Sequence, residues 1–174
     1  RNVSESDNIF IGERAKNSYF ETLTPYMKVL EEKAIEYERK GQLSSALKEY
    51  KKMLEFANQQ KAQWIRSRVA RIITNNPSVV DMTGAARQYY LNAEVLFTNN
   101  KFEEAITELD RAKEIIPFNP QIYFNKALIY GKLADYAQAI ENMEIFLQLN
   151  PTAPNTQTIR DQIYKWRFLL EKEL

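Results

Sequence analysis

The second half of the chain repeats itself every 34 residues. Laying 86–119 over 120–153 puts Tyr89 on Tyr123, Ala93 on Ala127, Phe102 on Tyr136, Ala105 on Ala139 and Pro117 on Pro151. Asn100-Lys101 falls on Ala134-Asp135, the short turn between two helical halves. A period of this length belongs to a supersecondary unit that cannot bury its apolar face alone and must stack on a neighbour. Tyr123, Ala127 and Tyr130, then Ala139, Met143, Phe146 and Leu147, follow a 3.6-residue period, so each unit reads as helix, turn, helix. The alanines put small side chains where paired helices approach within about 8–10 Å. Asn119-Pro120 supplies a cap and a first-turn proline, and Pro117 and Pro151 stop the preceding helices.

Composition agrees with helices and removes most chemistry. Only 4 glycines and 6 prolines stand among 174 residues, which disfavours a turn-rich β fold. There is no histidine and no cysteine. Ser-His-Asp and Cys-His catalysis, nearly all zinc sites, iron–sulfur clusters, disulfides and thiol redox chemistry are thereby excluded. The glycines are too dispersed for a phosphate-cradling loop, and adjacent acids such as Glu103-Glu104 read as solvated faces. No calcium-type loop spacing occurs, so the expectation is no cofactor, no metal and no enzyme. The 24 basic and 23 acidic residues nearly cancel, and no apolar run is long enough to span a membrane. Neither a nucleic-acid partner nor a membrane span is expected. Compartment is left open, and the start at Arg1 without a methionine or an apolar leader reads as a trimmed or processed chain.

A weaker third unit lies upstream at 27–60, where Ala34, Tyr37, Gly41, Leu43, Ala46, Tyr50 and Met53 take the corresponding small, aromatic and turn positions. No proline closes it; Asn58 stands there. The interval 61–85 predicts one helix, about 61–74, then a connector with a turn of helix from a Ser78-x-x-Asp81 cap. At the carboxyl end, Ile159, Ile163, Trp166 or Arg167, and Leu170 predict an amphipathic capping helix within 154–174. Residues 1–23 read as a segment partly disordered or forming one helix over Ile9–Leu23, followed by the repeat domain at 24–174.

The pattern resembles the tetratricopeptide repeat, a 34-residue helix–turn–helix unit. Tyr89 and Tyr123 match its large first-helix residue, Ala93 and Ala127 its small residue, Phe102 and Tyr136 its turn aromatic. Ala105 and Ala139 match its second-helix alanine, and Pro117 and Pro151 its closing proline. Asn92 and Lys126 stand where leucine is usual, and Leu96 where tyrosine is. The resemblance implies an all-α, antiparallel helix-pair solenoid whose first helices line a concave face.

Carried onto this chain, that face comprises Arg87, Tyr90, Glu94, Phe97 and Thr98, then Gln121, Phe124, Leu128, Gly131 and Lys132, with Asn125 near the edge. The upstream unit adds Lys28, Glu31, Ile35, Glu38 and Arg39. Tyr90, Phe97, Phe124 and Leu128 form an apolar strip suited to an amphipathic helix or extended peptide of a partner protein. Glu94, Phe124 and Leu128 argue against a clamp for a terminal carboxylate. Covering of the strip by a second copy of the chain, as a homo-oligomer, or by its own segments are the alternatives.

The inserted helix carries a second candidate. At about 100° per residue, Lys61, Trp64, Arg68 and Arg71 share one flank beside the apolar stripe of Ile65, Val69, Ile72 and Ile73. Such an edge suits an anionic ligand, including single-stranded nucleic acid. The competing reading has arginine stems covering the margin of a packed helix, with Trp64 in the core. The sequence as a whole reads as a non-catalytic interaction or scaffold module.

Overall fold

The computed structural model describes residues 25–173, and its described residues form helices and no strand. The expectation placed on Ile9–Leu23 lies outside them. Helix α1 covers 25–39. It is followed by α2 (Leu43–Leu54), α3 (Gln59–Asn75), a 3-10 turn (Pro77–Val80), α4 (Gly84–Thr98) and α5 (Phe102–Ile115). Helices α6 (Pro120–Lys132), α7 (Tyr136–Leu149) and α8 (Thr156–Glu173) complete the order. The described residues divide into two compact units, with the boundary after Ala62, inside α3.

In the first unit, α1 and α2 form a helical hairpin. Gly41, at φ 71°, occupies the left-handed region just past α1. Its N–H donates to the carbonyl of Glu38 at 3.0 Å, and that of Gln42 to Tyr37 at 2.9 Å, which satisfies carbonyls the helix end leaves open. The core holds Leu30 and Ala34 from α1 and Ala46, Leu47, Tyr50 and Met53 from α2. Tyr50 donates its hydroxyl to Glu38. Asn58, where the sequence lacks a closing proline, caps α3 by accepting from the N–H of Lys61 at 2.8 Å.

The second unit stacks helix on helix, with α4 packed on α5, α5 on α6, α6 on α7 and α7 on α8. The turns inside its two pairs repeat the chemistry of Gly41. Asn100 (φ 59°) and Ala134 (φ 58°) take the left-handed position. The next residues, Lys101 and Asp135, donate to Leu96 and Tyr130 at 2.9 and 3.0 Å. Asp135 caps α7 by accepting from Gln138 N–H at 3.1 Å. The junction between the pairs is equally specified. Asn119 accepts from Gln121 N–H at 2.9 Å, and its amide donates to the carbonyl of Val80 at 2.8 Å. Tyr123 donates its hydroxyl to the carbonyl of Pro117 at 2.6 Å.

Two apolar clusters fill this unit. One joins Ala93, Ala105, Leu109, Ala112, Ile122 and Ile129. The other joins Ala127, Ala139, Met143, Phe146, Ala153, Ile163 and Trp166. Of the two sequence candidates for the buried face of α8, Trp166 is the buried one, while Arg167 is exposed and pairs with Glu144. The connector differs from its expectation. Ser78 lies inside a turn that opens on Pro77, with Asn76 before it and no side-chain cap. Proline's fixed φ starts the turn earlier than the Ser-x-x-Asp spacing implies.

Candidate functional site

Helices α4 and α6 hold between them a groove of about 430 Å³, closed at the back by Leu109 of α5. Ala93, Glu94, Phe97 and Thr98 line one wall, and Asn125, Leu128 and Ile129 the other. The walls exist because Ala93 and Ala105 let α4 and α5 approach, which leaves the next turn of α4 to project Glu94, Phe97 and Thr98 toward α6. Phe97 is half-buried, its ring 5.7 Å from that of Phe102, and Leu128 is 37% exposed. The groove is thus apolar at its floor, with an exposed carboxylate, Glu94, at its rim.

One edge is a polar rail. Gln121 donates through its amide to Asn125 at 3.1 Å, and Asn125 in turn donates to the Tyr90 hydroxyl at 2.8 Å. Burial raises the Tyr90 hydroxyl above its ordinary range; the hydrogen bond from Asn125 opposes this and the charge of Glu94 adds to it. Tyr90 is held neutral, with Asn125 fixed between two partners.

The remaining strip residues are distributed elsewhere. Phe124 is half-buried with its ring 5.1 Å from Phe146, within the cluster that includes Trp166. Arg87, Gln121 and Lys132 are exposed on α4 and α6 and do not line the groove. Gly131, expected on the open face, lies beneath the Trp166 indole of α8. The structure therefore brings together Glu94, Phe97, Thr98, Asn125 and Leu128, with Tyr90 hydrogen-bonded at the margin, and keeps Phe124 apart.

Sequence reasoning passed over Lys126, noted only as standing where leucine is usual. It is buried, and its ammonium lies 2.7 Å from Asp110 of α5, which also pairs with Lys113 at 2.9 Å. Burial pushes the Lys126 ammonium below its ordinary value, and Asp110 opposes that shift. Burial also acts on Asp110, but hydrogen bonds from Lys126 and Lys113 outweigh it and hold the carboxyl low. This pair ties α6 to α5 behind the groove. The signal available in sequence was a charge at a position whose apolar pattern calls for burial.

The basic flank of α3 is divided. Lys61 belongs to the first unit and is paired with Glu31 at 2.7 Å. Within the second unit the Arg68 guanidinium lies 5.7 Å from the Trp64 ring centre, and Arg71 is exposed. Arg66 is half-buried and donates to Gln148 of α7 at 3.3 Å. Among the described residues no group of three or more histidine, cysteine, aspartate or glutamate side chains could hold a metal. Nor is any described helix long and apolar enough to cross a membrane.

Stacked helix pairs with a left-handed residue at a fixed position of each turn define a helix-pair repeat protein. Residues 120–152 match the tetratricopeptide repeat family, so the α6–α7 pair is such a repeat. Repeats of this family form protein–protein interaction scaffolds and are generally non-catalytic. A solved structure described as that of MamA protein aligns with 21% identity over 84% of this chain and 91% of that one, with a TM-score of 0.39. No curated protein sequence matches the chain.

Proposed function

We propose that the chain is a non-catalytic interaction module that receives an apolar anchor of a partner protein in the groove between α4 and α6. The observation that carries this reading is the coincidence of an exposed Leu128 with a half-buried Phe97 across a 430 Å³ groove whose rim bears Glu94. Apolar burial at Phe97 and Leu128 supplies the affinity, at roughly 25 cal/mol per Å² removed from water. Asn125 offers its amide group to a peptide backbone, and Glu94 selects a partner with a lysine or arginine beside its anchor. Charged residues at a rim act mainly on specificity and association rate.

The experiment is affinity capture from the source organism's lysate with wild type and with Leu128→Glu as bait. Leu128 is exposed enough for the substitution to leave the helices intact. A protein retained by wild type and lost by the folded variant supports the groove. An identical set of retained proteins counts against it.

A further inference from the structure

The outward face of α8 is complementary to itself. At about 100° per residue, Asp161, Tyr164, Lys165, Phe168, Leu169 and Lys172 fall on one face, opposite the buried stripe of Ile163 and Trp166. All six are exposed, Tyr164 by 64% and Phe168 by 59%. An aromatic pair one turn apart on the solvent side of an amphipathic helix is not explained by packing among the described residues. The Lys172 ammonium lies 5.5 Å from the centre of the Phe168 ring, so the aromatic already attracts a cation. The face is acidic at its amino end, through Asp161, and basic toward its carboxyl end, through Lys165 and Lys172.

We infer that this face docks a second copy of the chain, α8 against α8, antiparallel about a two-fold axis between positions 166 and 167. In that register Asp161 meets Lys172 of the partner subunit, Tyr164 meets Leu169 of the partner subunit, and Lys165 meets Phe168 of the partner subunit. Each position is answered by its complement: opposite charge, apolar on apolar, cation on aromatic. Moving the axis half a residue, onto position 166, sets Asp161 against Glu171 of the partner subunit, so charge selects the first register. The antiparallel arrangement also opposes the two helix dipoles favourably. A two-fold contact closes on itself, so assembly stops at two. One helix pair buries less than the roughly 1,200 Å² of a standard interface, which places the dimer among weak, concentration-dependent associations. The six residues are distinct from those of the α4–α6 groove, so the two proposals stand or fall separately.

Sedimentation equilibrium from about 1 µM to about 1 mM tests it. The mass is expected to rise from 20.5 kDa to twice that value and no further. Phe168→Lys, which sets like charge against Lys165 of the partner subunit, keeps the monomer mass throughout, with an unchanged helical spectrum and melting temperature. Asp161→Lys and Lys172→Asp each weaken association by about tenfold or more, and the double exchange restores it. A constant 20.5 kDa across the range overturns the proposal, as does a dimer indifferent to the charge exchanges. A monomer that Phe168→Lys destabilises also overturns it, because the face is then covered by the chain's own residues. So does a monomer whose α8 face is captured by a different protein.

Discussion

The backbone of Gly131 on α6 lies against the indole of Trp166 on α8, so close that a methyl group on its Cα would stand 2.7 Å from the ring carbon Cζ2. Trp166 is 6% exposed and belongs to the apolar cluster that joins α6, α7 and α8. The last helix is therefore seated by an absent side chain. Glycine in a helix interior normally costs roughly 0.5–1 kcal/mol relative to alanine, and here the close approach offsets that cost.

Gly131→Ala has a diagnostic sign. At an open helical site the change stabilises; here the indole must shift, at a cost of about 1–3 kcal/mol. The melting temperature is expected to fall by about 2–10 °C, with a change in tryptophan fluorescence as Trp166 leaves its seat. A rise in melting temperature would contradict the contact.

Ala134 presents the opposite case. It holds the left-handed position, φ 58°, that Gly41 fills with glycine and Asn100 with asparagine. A Cβ in that region costs roughly 1–2 kcal/mol. Ala134→Gly is expected to raise stability by about 1 kcal/mol and the melting temperature by about 2–4 °C, and Asn100→Gly by less, because asparagine tolerates this region. Thermal denaturation of the two variants side by side checks the ranking.

Asp110 gives the fold an acid-sensitive joint. Its folded carboxyl titrates below its ordinary value because Lys126 and Lys113 overcome the effect of burial. A depressed carboxylate contributes stability that is complete above its unfolded pKa, near 4, and is lost as pH falls through the lower folded value. Asp110→Asn is expected to cost about 1–3 kcal/mol at neutral pH, since it leaves the buried Lys126 ammonium without its counter-charge. The variant should also show a shallower loss of stability below about pH 4. Urea melts at pH 7 and below pH 4 read both effects; parallel pH profiles would refute the pairing.

Phe124 and Leu128 sit one helical turn apart yet answer to different demands. Phe124 packs on Phe146, so Phe124→Ala is expected to destabilise by about 2–3 kcal/mol. Leu128→Ala removes a side chain 37% exposed and is expected to cost less than about 1 kcal/mol while weakening partner binding. Calorimetry on the two variants separates a packing residue from a surface one.

The 34-residue period made the helix pairs legible because Tyr123, Ala127 and Pro117 are each needed for packing or punctuation within one unit. The cap at Asn119 was legible for the same reason: its partner, Gln121 N–H, is two residues away. What lay hidden were relations across helices. Lys126 finds Asp110 sixteen residues back, and Gly131 finds Trp166 on a helix outside the repeat. Periodicity on α6 puts Phe124 and Leu128 on one stripe. It does not reveal that α7 and α8 surround the first while the second lines the groove with Phe97.

The most direct measurement is photo-cross-linking from position 128, with benzoylphenylalanine in place of Leu128, in the source organism's lysate. The account predicts a cross-link to another protein, at an apolar residue near a lysine or arginine, that is lost when Phe97 is changed to Glu in a variant of unchanged helicity. Cross-links confined to the chain itself, or a partner retained despite Phe97→Glu, would contradict it.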